Sequence, residues 1–189
     1  MSAFFFRKLN TVFLHNPKTG GLSIRAGAFK DDWTRGNDGP YFDHIPEDWP
    51  MDRSFATVRD PLDRFLSGLS FCRQRHPVEE IEDIPYLIRM LSDPRATSDV
   101  DDRLGWIKHH LMLQTSPELF LNRAKILMRF ETLEEDFQMV CRAFDLGSRE
   151  LPHTNEGKLP KAELSQWELH LVLEYLRPDY ERFDFYKMP

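Results

Sequence analysis

The chain has 189 residues, 41% of them hydrophobic and 13% aromatic, with a formal net charge of −6. These figures fit a globular chain with its own core, and the length favours one domain over residues 1–189. The acidic total gives no support to a nucleic-acid-binding surface, though it leaves room for a local basic pocket.

At the start, Phe4-Phe5-Phe6 precedes Arg7-Lys8. A secretion signal has the reverse order, with a longer apolar region. No stretch of about 20 apolar residues suggests a membrane span. A cytoplasmic location is therefore expected. Thr11 to Leu14 is an apolar run that reads as a buried strand. It breaks at Asn16-Pro17, passes through Lys18-Thr19-Gly20-Gly21 and resumes as a helix-like segment from Leu22. A strand, a glycine turn and a helix start together suit an anion, because turn N–H groups and the helix N-terminus converge on it. The loop lacks the G-x-x-x-x-G-K-[ST] order of an ATPase or GTPase, since Lys18 stands before the glycines. A plain strand-to-helix turn is the alternative reading.

Residues 30–52 form a long irregular stretch rich in Gly, Pro, Asp and Trp, and so a functional-loop candidate. Ser54 to Val58 is a second strand. Asp60-Pro61 then supplies an N-cap and a helix-first proline, and Leu62, Phe65, Leu66 and Leu69 carry a helix to about Gln74. Further helices are expected over Glu79 to Leu91, Asp99 to Leu113, Leu133 to Phe144 and Ala162 to Leu176, with a strand over Lys125 to Arg129. Strands alternating with helices imply an α/β fold with a mainly parallel sheet. Such sheets bind ligands at the carboxyl ends of their strands, so Lys18 and Arg59 are expected to face one crevice. Cys72 and Cys141 each lie in an apolar-periodic stretch and read as buried thiols, not as a disulfide or metal pair.

Arg59 closes the second strand, a costly place for a charge without an anionic partner. That partner is either a carboxylate such as Asp60 or Asp63, or a second phosphate. Ser67 follows about two helical turns later. Arg64 reads as one half of a surface salt bridge, with an anion ligand as the alternative.

Pro17 to Ser23 (P-K-T-G-G-L-S) and Val58 to Ser67 (V-R-D-P-L-D-R-F-L-S) together resemble the two nucleotide-binding motifs of sulfotransferases that use 3′-phosphoadenosine-5′-phosphosulfate (PAPS), in the carbohydrate and membrane-associated branch. Arg129 to Phe137 is similar to the family's "yE-x-L-x-x-D" segment. His153-Thr154-Asn155 resembles its C-terminal Asn-bearing loop, and Asp179-Tyr180 to Phe183 resembles its closing "DY-x-x-F". The resemblance implies a P-loop-like three-layer fold, with a central mainly parallel sheet flanked by helices. It also implies sulfuryl transfer from PAPS to an acceptor hydroxyl or amine, most naturally on a carbohydrate, leaving PAP and requiring no metal. On this reading Lys18 meets the leaving phosphate. Thr19, Gly20, Gly21, Leu22 and Ser23 cradle the 5′-phosphosulfate through N–H and hydroxyl donors. Arg59 and Ser67 hold the 3′-phosphate.

A hydroxyl acceptor needs a base near neutral pH, which suits His. His44 is the preferred candidate, with Glu131 as an alternative or orienting partner. His15 is expected to be a packed strand-end residue, and His109 or His110 to be structural or to line an acceptor cleft. A P-loop kinase or NTPase, and a non-catalytic relative that binds PAP or a glycan, are the competing classes.

Overall fold

The computed structural model describes residues 2–29, 34–35, 44–75, 79–93, 103–152 and 160–189. Two compact units emerge, one from Met1–Arg59 with Ser116–Glu156, the other from Asp60–Thr115 with Gly157–Pro189.

The first unit holds the sheet. Its strands are β1 (Ser2–Phe6), β2 (Thr11–His15), β3 (Thr34–Arg35), β4 (Ser54–Val58) and β5 (Ile126–Arg129), in the order β3-β1-β2-β4-β5. β2, β4 and β5 are parallel neighbours, as expected, while β1 and β3 extend the β2 edge in antiparallel pairing. Strand β1 was not assigned from the sequence. Its three phenylalanines alternate: Phe4 and Phe6 are buried in the core, and Phe5 meets the Trp49 ring at 5.3 Å.

Register explains the core. Phe4 pairs with Phe13, Phe13 with Phe55 and Phe55 with Ile126, so four strands set large apolar side chains in one row. Phe29, Phe137 and Val140 pack into the same cluster, the last two from α5 (Leu133–Ala143). Each buried phenylalanine contributes about 1.5–3 kcal/mol by leaving water. β4 is buried along its whole length, which is why it reads as a continuous apolar run.

The second unit is helical: α1 (Pro61–Arg75), α2 (Glu79–Glu82), α3 (Ile84–Ser92), α4 (Arg103–Leu111) and α6 (Gln166–Arg182). Its own core gathers Phe65, Leu69, Cys72, Ile81, Ile84, Leu87, Ile107, Leu111, Val172 and Leu176. Cys72 and Cys141 are both buried and neither forms a disulfide. Among the described residues no helix is long and apolar enough to cross a membrane.

Several boundaries moved for identifiable reasons. The helix expected over 79–91 divides at Asp83, because Pro85 has no N–H for the carbonyl four residues back and its ring would clash with it in a continuous helix, whereas it is tolerated in the first turn of a new one. Asp83 turns extended and caps the new start, its Oδ1 accepting from Tyr86 N at 2.9 Å. The last helix begins at Gln166, not Ala162. Ser165 and Glu168 form a reciprocal capping box there. It also runs past Pro178, carrying Asp179 and Tyr180 into its last turns.

Candidate functional site

β2 and β4 are adjacent and parallel, so the segments that follow them leave the sheet at the same carboxyl end. Asn16 sits at the first of these exits, fully buried, and donates from Nδ2 to Thr57 O at 3.1 Å. The amide clamps one strand end to the other. Thr19 returns its hydroxyl proton to Asn16 O at 2.7 Å, and Ser23 N donates to Gly20 O at 3.0 Å. The Thr19 hydroxyl, expected as a ligand donor, is thus spent inside the loop. Thr19 can serve an anion only through its backbone N–H.

The loop is left-handed at two places. Gly20 has φ +78° and Lys18 has φ +67°. For glycine this is easy, whereas a lysine there costs about 1–2 kcal/mol. Surrounding contacts hold the turn. Pro17 and Thr19 are buried on either side, and the Lys18 carbonyl accepts from Arg59 Nη1 at 3.2 Å. Neither glycine has room for a side chain. A Cβ on Gly20 would lie 2.8 Å from Leu133 Cδ2, and one on Gly21 would lie 2.0 Å from His15 Cδ2. His15 therefore forms a wall of the loop, tilted against Phe4 and Phe13, as a packed strand-end residue would be. After Gly21 the chain enters a widened helical turn over Ser23–Ala28.

Arg59 is half-buried at the exit of β4, with its guanidinium carbon 4.4 Å from the Phe130 ring centroid. Phe130 opens the short turn after β5, followed by the exposed Glu131. Asp136 anchors this segment by accepting from Arg129 N at 2.8 Å and Nε at 3.3 Å. Burial alone would raise its carboxyl, but the Arg129 contacts outweigh that and hold it below the usual range. The Asp of the "x-L-x-x-D" pattern thus ties α5 to β5. Arg59 meets the backbone of Lys18 at the neighbouring strand exit. His44 is exposed, in irregular chain ahead of the buried Ile45. His153, Thr154 and Asn155 lie outside the described residues.

In the second unit, Asp60 caps α1 by accepting from Asp63 N at 2.9 Å. Ser67 is half-buried in the second turn of that helix. Arg64 corrects its expected place on the surface. It is 1% exposed, and its Nη1 donates to Met112 O at 2.8 Å. Its amphipathic position on α1 faces the core, where its charge favours the ionised form of Asp179. Asp179 is fully buried and accepts from Gln114 N, Thr115 N and Thr115 Oγ1, each at 2.8 Å. Burial nonetheless pushes its carboxyl above the usual range. Tyr180 Oη accepts from Leu62 N at 3.3 Å and approaches Asp60 at 3.4 Å. Burial, then the Asp60 charge, push its phenol up. His109 is buried, and His110 stacks on Trp106 with centroids 4.0 Å apart while its Nδ1 meets Trp106 O at 2.9 Å.

A family model described as "Sulfotransferase family" matches residues 46–186. The chain belongs to the sulfotransferase family. Its chemistry is therefore sulfuryl transfer in general. The matched span includes Arg59, Ser67, Phe130 and the Asp179-Tyr180 pair, while Lys18 and His44 precede it. No curated protein and no solved structure matches the chain. Sequence reasoning on this sulfotransferase missed Asn16, Phe130 and the anchoring role of Asp179. An Asn at a strand end and an aromatic before Glu131 were visible signals, but their partners lie 41 and 71 positions away in sequence, at Thr57 and Arg59.

Proposed function

We propose that this sulfotransferase uses PAPS and delivers the sulfuryl group to a hydroxyl or amine of a carbohydrate acceptor. The observation that supports this most is the hydrogen bond from Arg59 to the Lys18 carbonyl, which ties the residue that closes β4 to the backbone of the loop after β2. A nucleotide bearing anions at both its 5′ and 3′ ends fits the Lys18 and Arg59 cations better than ATP does. The loop fits as well, because a side chain at Gly20 or Gly21 would collide with its walls.

PAPS, when bound, supplies the activated sulfuryl group and a phosphate leaving group. The chain's own residues do the rest by positioning and charge. Lys18 faces negative charge growing on the leaving oxygen. The N–H groups of Thr19, Gly20, Gly21, Leu22 and Ser23 orient the 5′ end, with the Ser23 hydroxyl. Arg59 and Ser67 hold the 3′-phosphate. His44 takes the acceptor proton, a task for which exposure to an incoming acceptor is useful. No divalent cation is needed where Lys18 and the helix start already offset the charge.

The test is ligand-dependent stability. PAP should raise the melting temperature more than ADP does at equal concentration, since only the tighter ligand shifts folding strongly. Equal shifts would remove the 3′-phosphate role. In parallel, His44→Ala should bind PAP like the unaltered chain yet fail to transfer label from PAPS to a glycan panel. An active His44→Ala protein places the base elsewhere.

A further inference from the structure

Phe130 touches both halves of the paired strand-end site, and no motif role accounts for that. On one side its ring carries the Arg59 guanidinium carbon at 4.4 Å from the centroid. On another, its Cε2 and Cδ2 atoms lie so close to Gly20 that a Cβ there would come within 3.2 and 3.3 Å of them. The third side of the triangle is the hydrogen bond from Arg59 Nη1 to Lys18 O. Phe130 itself is fixed. It follows β5 directly, and the next helix is locked to that strand by Asp136.

We infer that Phe130 is a positioning residue that sets the Arg59 guanidinium against the Lys18–Gly20 turn, and so determines how strongly the protein prefers a nucleotide with a 3′-phosphate. The inference rests on the proposed role of Arg59. The chemistry favours an aromatic here. A carboxylate partner would orient Arg59 but neutralise it. An aromatic face orients a guanidinium without itself adding a negative charge that would compete with a phosphate. Contact with Gly20 adds a steric term, because a smaller side chain would let the left-handed turn drift toward the vacated space. Phe130 thus acts through two other residues without touching the reacting atoms.

The experiment measures affinity for PAP and for 5′-AMP, which differ only by the 3′-phosphate, in the full chain and in Phe130→Leu, Phe130→Met and Phe130→Tyr. The ratio of the two affinities within one protein cancels any change in the folded fraction. Expected is a preference for PAP in the unaltered chain that falls by about tenfold in Phe130→Leu and Phe130→Met. Phe130→Tyr should retain it. The apparent KM for PAPS should rise in the Leu variant, and kcat should fall as the turn loosens. An unchanged ratio in Phe130→Leu and Phe130→Met, or an equal loss in Phe130→Tyr, overturns the inference while leaving the role of Arg59 standing. No preference for PAP over AMP in the unaltered chain overturns both.

Discussion

Arg59 Nη1 donates to the carbonyl oxygen of Lys18 at 3.2 Å, so the cation closing one parallel strand holds the backbone of the cation following its neighbour. The bond explains how a lysine tolerates φ +67°. A left-handed non-glycine residue persists only where its surroundings over-determine it, and such residues concentrate at functional sites. Lys18 is not simply a charge carried by a flexible loop. Its backbone is part of the loop's geometry.

Substituting Lys18 separates these two contributions. Lys18→Ala should lower single-turnover sulfuryl transfer by roughly 100- to 1,000-fold, as removal of one charge-stabilising donor does, with a much smaller effect on PAP affinity. Lys18→Gly should be equally inactive. It should also be more stable than Lys18→Ala by about 1 kcal/mol, because glycine accepts the left-handed turn without strain. Labelled PAPS and urea denaturation give the two readings. Transfer at the unaltered rate in either variant would remove Lys18 from the chemistry.

Two glycines outside the loop make a controlled pair. A Cβ on Gly27 would lie 2.3 Å from Pro152 Cγ and 2.5 Å from its Cδ, within a rigid ring. Gly147 has φ +72° but nothing within 4 Å of a built Cβ. Gly27→Ala should therefore cost about 1–3 kcal/mol through overpacking, and Gly147→Ala about 1 kcal/mol through backbone strain alone. Gly147→Asn should recover most of the second loss, since asparagine tolerates the left-handed region, while Gly27→Asn should be worse than Gly27→Ala. Denaturation midpoints at fixed slope decide the matter.

Much of this architecture is legible locally. Thr11 to Leu14 and Ser54 to Val58 are apolar because both strands lie inside the sheet, and Asp60-Pro61 announces α1 through capping chemistry that acts over three residues. Lys18 and Arg59 could be placed at neighbouring positions because parallel adjacent strands finish at the same end of the sheet. What escaped notice depends on distant partners. Phe4 and Phe6 form a strand only because Phe13 and Thr11 pair with them. Arg64 looks like any helical arginine until Met112 O and the charge of Asp179 meet it in the core. The pattern Asp179-Tyr180 was recognisable, whereas its work of holding residues 114–115 and the start of α1 was not.

Asp179 should be one of the costliest single positions in the second unit. Its carboxylate is the acceptor for the buried Gln114 N–H and for the half-buried Thr115 N–H and hydroxyl. Asp179→Ala strands all three donors and removes a negative charge that the Arg64 guanidinium favours, so a loss of about 3–5 kcal/mol is expected. Asp179→Asn keeps one acceptor oxygen and should lose less. Equilibrium unfolding of both variants checks the order, and an alanine variant as stable as the asparagine one would contradict the anchoring role.

The capping box of α6 gives a stability term with a defined pH sign. Glu168 accepts from Ser165 N at 2.7 Å and Ser165 Oγ at 2.6 Å, and these hydrogen bonds hold its carboxyl below the usual range. The folded state therefore releases this proton more readily than the unfolded chain. Its contribution is fully present above the unfolded pKa and disappears as pH falls through the lowered folded value. Asp179 works in the opposite sense. Burial raises its carboxyl, so its own term weakens stability as pH rises from the usual carboxylate range toward the raised value. Glu168→Gln should thus lower the melting temperature at neutral pH, and the gap to the unaltered chain should close on acidification. Ser165→Ala should keep part of its gap at acid pH, because it also removes the hydroxyl that caps Glu168 N whatever the charge on the carboxyl. Melting curves across the acid limb measure the gap directly. A gap that stays constant with pH would mean that Glu168 supports the helix through packing and not through its charge.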